Sequence, residues 1–134
     1  MRKQLLATTL IGMAAATLIG PAAMAEPQTK PAPRCFYSSD WDGGWKPTAD
    51  SKSMYIRVGI NRIYRVDFSS ACPQLQTPMS HLITETRGSS SICSAIDLDL
   101  KVSDGHGFAT ACIVSNLTEL SKDEAAALPK DMRP

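Results

Sequence analysis

Two tryptophans four residues apart, Trp41 and Trp45, flank Asp42, Gly43 and Gly44, with Phe36 and Tyr37 just before them. Exposed aromatic faces of this kind hold sugars or peptides, whereas in a small β domain the same rings more often fill the core. Trp41, Trp45 and Tyr37 are therefore the candidate ligand-binding residues. The acidic run, Asp40-Trp41-Asp42-Gly43-Gly44, begins like a calcium loop. It then fails at two decisive positions: Trp45 stands where the loop needs glycine, and Ser51 where the bidentate glutamate belongs. The run reads as a glycine-rich turn.

Four cysteines, Cys35, Cys72, Cys93 and Cys112, could do two further kinds of chemistry. Zinc wants closely spaced ligand pairs, and the chain has no C-x2-C pair and 2 histidines. Thiol redox work favours C-x-x-C, a spacing that lowers one thiol's pKa and is missing as well. Serine, histidine and aspartate are all present, but His81 and His106 lie in unrelated contexts and there is no nucleophile elbow. Arg57, Arg62 and Arg65 lie on or beside one strand face, which reads as solvated rather than as an anion site. The residues assign no catalytic group, metal or cofactor.

The elements that must position these residues centre on Ser53 to Phe68. Met54, Ile56 and Val58 alternate with polar residues, and Tyr64, Val66 and Phe68 do the same after a turn. Period two marks strands, here a β-hairpin. A two-residue turn would set Ile56 against Arg65. A three-residue turn, Gly59-Ile60-Asn61, sets Ile56 against Tyr64 and Met54 against Val66, with Asn61 as the left-handed residue. His81 to Arg87 reads as a strand whose inward face is undecided. Ile96, Leu98, Leu100 and Val102 alternate as another strand, and Phe108 to Val114 returns antiparallel to it, with Phe108, Cys112 and Val114 on one face. Ser38 to Trp45 reads as a turn region and Ser69 to Ser80 as a loop. Ser121 and Glu124 form a capping box ahead of a two-turn helix that Pro129 stops, with Leu120 and Leu128 free to dock on a sheet.

These elements predict an all-β, mostly antiparallel fold: a small barrel or sandwich of five or six strands with a short C-terminal helix and two disulfides. Three connectivities are possible. The one expected is Cys72–Cys93, closing the loop after the hairpin, with Cys35–Cys112, tying the start of the ordered chain to its last strand. Cys35–Cys72 with Cys93–Cys112 also joins neighbouring elements.

Residues 1–25 read as a cleaved signal peptide: Arg2 and Lys3, then an apolar stretch from Leu5 to Ile19, then Ala23-Met24-Ala25 as a small-x-small cleavage site. The stretch is too short to span a membrane, so no span is expected after cleavage. Residues 26–34 form a proline-rich extended leader, and residues 35–134 a single β-rich, disulfide-bonded domain. Arg2 and Lys3 account for two of the 14 basic residues, so 12 remain against 13 acidic ones. That balance gives no electrostatic reason to expect nucleic acid.

In order along the chain, Cys35-Phe36, Tyr55-Ile56-Arg57-Val58-Gly59, Ile63-Tyr64-Arg65-Val66-Asp67, Cys72-Pro73 and Arg87-Gly88-Ser89-Ser90-Ser91-Ile92-Cys93 resemble a known family. It is a set of small exported Gram-negative bacterial proteins grouped as a domain of unknown function. Leu117-Thr118-Glu119-Leu120 and Ala127-Leu128-Pro129 are similar to its C-terminal signature, so the resemblance spans Cys35 to Pro134. It implies a β-rich disulfide domain in the cell envelope and supplies no activity or catalytic residues to carry over.

The function expected is that of a periplasmic or secreted, non-enzymatic binding or structural module. It is expected to be monomeric and to bind an envelope protein or a glycan. The alternative is a small periplasmic hydrolase or redox protein whose site has no recognisable motif.

Overall fold

The hairpin forms in the register its apolar pattern demands. A computed structural model describes residues 34–134. In it Ile56 faces Tyr64 and Met54 faces Val66, across a loop of Gly59, Ile60 and Asn61. Met54, Ile56, Val58, Tyr64 and Val66 are fully buried, each worth about 1.5–3 kcal/mol relative to exposure. One detail differs from expectation. The left-handed residue is Gly59, at φ 59°, and not Asn61. Glycine adopts that conformation without a Cβ clash, so the turn places it there.

Six strands of six or seven residues and three shorter ones form among the described residues. In chain order they are β1 (Phe36–Tyr37), β2 (Trp41–Pro47), β3 (Ser53–Val58), β4 (Arg62–Phe68), β5 (His81–Thr86), β6 (Ser91–Ile92), β7 (Leu98–Ser103), β8 (Ala109–Ala111) and β9 (Val114–Glu119). Helix α1 (Lys122–Ala127) follows. The six longer strands match the expected number, five or six. All pairing is antiparallel, in a sheet ordered β2-β3-β4-β9, a second ordered β5-β7-β8, and the small pair β1-β6. The arrangement is a half-barrel. Its core joins Met54, Ile56, Tyr64 and Val66 from the first sheet to Leu98, Leu100 and Val102 from the second. Phe36 and Ile92 add to it from the small pair, and the Phe36 and Tyr64 rings lie 4.8 Å apart.

The capping box forms as read. The Ser121 hydroxyl accepts from the Glu124 N–H at 3.2 Å, and the Glu124 carboxylate accepts from the Ser121 N–H at 2.8 Å. Leu120 and Leu128 are half-buried.

Four expectations are corrected. Ser38 to Trp45 is not simply a turn: after a 3-10 turn at Ser38–Asp40 it enters β2, an edge strand that Pro47 ends. Ile96 does not face inward and is 74% exposed. The Asp97 carboxylate accepts from the Cys93 N–H and from the Ser94 N–H and hydroxyl, which winds Ala95–Asp97 into a 3-10 turn and delays the strand until Leu98. Phe108 is 76% exposed, because the wide turn from Asp104 leaves pairing to begin at Ala109. The return strand is also divided: β8 pairs with β7, whereas β9, which carries Val114, crosses to pair with β4.

The fourth correction is the disulfides, which are Cys35–Cys93 and Cys72–Cys112. Both expected bridges, Cys72–Cys93 and Cys35–Cys112, are overturned. In the small pair Phe36 faces Ile92, so Cys35 and Cys93 are the next residues in register. Cys72 follows β4, and the Ser69 N–H donates to the Ile113 carbonyl, which brings the chain after β4 beside Cys112. The expected signal peptide, residues 1–25, and all of the expected leader segment except Arg34 lie outside the described residues.

Candidate functional site

Trp41 and Trp45 both line an open cleft of about 250 Å³, together with Ser38, Ser80, His81, Leu82 and Thr84. Strand β2 supplies the two indoles; β5 and the residue before it supply the opposite wall. Trp41 faces Val58 and Trp45 faces Ile56, so four residues of β2 run beside two of β3. On a regular strand Trp41 and Trp45 would stand about 13 Å apart; the bulge between them brings the two positions to about 7 Å along the strand. Both rings pack their inner parts on the core, which fixes their orientation.

The bulge is held by charge and by hydrogen bonds. Arg57 donates from Nε and Nη2 to Asp42 Oδ2 at 3.2 and 3.1 Å, and the Gly44 N–H donates to Asp42 Oδ1 at 3.2 Å. The Gly44 N–H, with Arg57 beside it, holds the Asp42 carboxyl below its usual range. The Trp41 indole N–H donates to the Gly44 carbonyl at 3.3 Å. A Cβ on Gly44 would lie 3.2 Å from Arg57 Nη2, so the clamp closes best over a glycine. The acidic run that resembled a calcium loop is thus the frame of the tryptophan pair.

The third aromatic candidate is placed elsewhere. Tyr37 is 59% exposed and does not line the cleft. The arginines are dispersed: Arg57 on Asp42, Arg65 on Asp67 at 2.7 Å, and Arg62 donating to the Tyr64 hydroxyl at 3.1 Å. His81 lies on β5 and His106 in the turn after β7. Among the described residues no three His, Cys, Asp or Glu side chains gather as a metal site would require. A second hollow of about 360 Å³ lies between β7 and the crossing from β8 to β9, lined by Leu98, Leu100, Ala111 and Cys112 among others.

A family model described as a family of unknown function (DUF6491) matches residues 1–134. The chain belongs to that family. No curated protein and no solved structure matches it. The four cysteines of this DUF6491 member all lie in the described residues and are all bridged. Two disulfides suit an oxidising, extracellular environment, and no helix among the described residues is long and apolar enough to cross a membrane.

Sequence reasoning singled out Trp41 and Trp45 and missed the β5 wall. Ser80, Leu82 and Thr84 lie some forty residues further on, in and just before a strand whose Thr-rich pattern leaves its inward face undecided. Only the pairing of Leu82 with Val102 and Thr84 with Leu100 settles it.

Proposed function

We propose that this DUF6491 chain is a non-catalytic binding module of the bacterial cell envelope, periplasmic or secreted, and that its cleft takes a saccharide. The observation that carries this reading is the bulge in β2, which brings two core-anchored indoles together opposite a wall bearing hydroxyls. A sugar ring has an apolar C–H face and a polar rim. The indole faces offer apolar contact already ordered, and Ser38, Ser80 and Thr84 offer hydrogen bonds around it. The two disulfides and the signal-like first 25 residues support the compartment.

The chain has 2 tryptophans and both line the cleft, so its intrinsic tryptophan fluorescence reports on this site alone. Titration with soluble fragments of bacterial cell-wall glycan is expected to shift the emission saturably. Trp45→Phe, which keeps an aromatic core contact, should weaken binding while leaving the melting temperature nearly unchanged. Emission that stays constant across the glycan series would remove the saccharide reading.

A further inference from the structure

Strand β5 is the outermost strand of its sheet, with β7 on one side and no strand on the other among the described residues. The hydrogen-bond parity shows which of its backbone groups face outward. The Arg87 N–H donates to the Asp97 carbonyl, one step beyond the β5–β7 ladder and in the same register. Antiparallel partners alternate between hydrogen-bonded and non-hydrogen-bonded pairs. His81, Ile83 and Glu85 therefore bond to β7, while the N–H and C=O groups of Leu82, Thr84 and Thr86 point to the free edge. The other side of β7 agrees, since the Cys112 N–H donates to the Leu100 carbonyl.

A free edge of this length is usually blunted by proline, a bulge or a lysine. The sequence His81-Leu82-Ile83-Thr84-Glu85-Thr86 has none of these. What it has is self-complementarity. If a second β5 is laid antiparallel with Ile83 on the two-fold axis, Leu82 and Thr84 exchange backbone hydrogen bonds with Thr84 and Leu82 of the second copy. That is the parity the free groups require. On the outer face Ile83 then meets Ile83, and His81 meets Glu85, twice. Ile83 is 40% exposed, an apolar side chain on an otherwise polar face. Glu85 accepts from Lys101 at 3.1 Å, which fixes the carboxylate on that face. Other residue-centred axes keep the same parity but pair the outer side chains less well. An axis at Thr84 would set His81 against Arg87 and Ile83 against Glu85, one at Glu85 would set Glu85 against Glu85 and Ile83 against Arg87, and one at Leu82 would set Ile83 against His81. The side chains select the Ile83 register.

We infer that two copies of this chain associate through antiparallel pairing of β5, joining two three-stranded sheets into one of six strands, in place of the monomer expected from sequence. The inference rests on the edge of β5, whose Leu82 and Thr84 also line the cleft, and it requires no ligand there. Because the contact is one short strand pair, the association is a concentration-dependent monomer–dimer equilibrium.

Sedimentation velocity on protein with both disulfides formed, over a concentration series, is expected to show the weight-average mass rising from one chain toward two. Ile83→Lys sets two like charges across the axis and should raise the dissociation constant about tenfold or more, with an unchanged circular dichroism spectrum. Under mild oxidation Ile83→Cys should give a covalent dimer. Thr86→Cys should not, since this register holds its two copies about 20 Å apart. A mass of one chain throughout the series overturns the proposal. So does a dimer that survives Ile83→Lys, a Thr86→Cys cross-link as fast as that of Ile83→Cys, or a β5 edge found covered by the strand of a different polypeptide.

Discussion

Asp67 gathers three donors around one carboxylate on the outer face of the hairpin. Ser53 Oγ and Arg65 Nε each donate to Oδ1 at 2.7 Å, and Asn116 Nδ2 donates to Oδ2 at 3.2 Å. Burial pushes its pKa up, but the hydrogen bonds from Ser53, Arg65 and Asn116 outweigh burial and hold it below its ordinary value. A carboxyl whose pKa is lower folded than unfolded stabilises the fold above its unfolded pKa, and loses that contribution as pH falls through the folded one. The loss therefore belongs to the acid limb, below about pH 4. Asp67→Asn is expected to cost about 1–3 kcal/mol at neutral pH, as Ser53 and Arg65 lose a charged acceptor. It should also flatten the acid limb. Urea denaturation at pH 7 and pH 3 checks both: an unchanged difference between the two pH values would show that Asp67 does not carry the acid sensitivity.

Among the elements, those with a long unbroken period could be read from sequence and those without one could not. The β3–β4 hairpin follows from six apolar residues whose spacing leaves a single register with one apolar face. Helix α1 follows from Ser121 and Glu124. Strand β2 hides because its bulge sets three residues, Asp42, Gly43 and Gly44, where the alternation has room for one, and the glycines that let it bulge are the residues that suggest a turn. Strands β1 and β6 hide because two residues have no period, and with them goes the contact that pairs Cys35 with Cys93. Of the cleft, the tryptophan side was legible by residue type and the β5 side was not. The turn at Gly59 gives this scale its prediction. A Cβ there would meet nothing within 4 Å, so the left-handed backbone alone decides the cost. Gly59→Ala should destabilise by about 1–2 kcal/mol, and Gly59→Asn by less, because asparagine tolerates that region better. Equal losses in a thermal melt would mean that something other than the dihedral angle is at work.

The whole molecule is tied by bridges that differ in setting. Cys35 and Cys93 are exposed at the small strand pair, while Cys72 and Cys112 are buried. With sequence separations of 58 and 40, each bridge stabilises by about 4 kcal/mol in the chain-entropy model. Against a native stability of roughly 5–15 kcal/mol, the domain depends on them. The bridges are also interleaved: Cys72 lies inside the span of Cys35–Cys93 and its partner Cys112 lies beyond it, so neither bridge joins cysteines that are consecutive in the chain. A polypeptide that crosses a membrane N-terminus first presents Cys35 and Cys72 before Cys93 and Cys112. An oxidant that joins thiols in order of arrival makes Cys35–Cys72 first, a bridge the fold does not contain. Native connectivity then requires a later thiolate to attack that bridge and exchange it. If the chain is exported in that way, reshuffling is expected to limit its maturation, and reduced protein should regain its native bridges faster in a glutathione redox buffer than under oxidant alone.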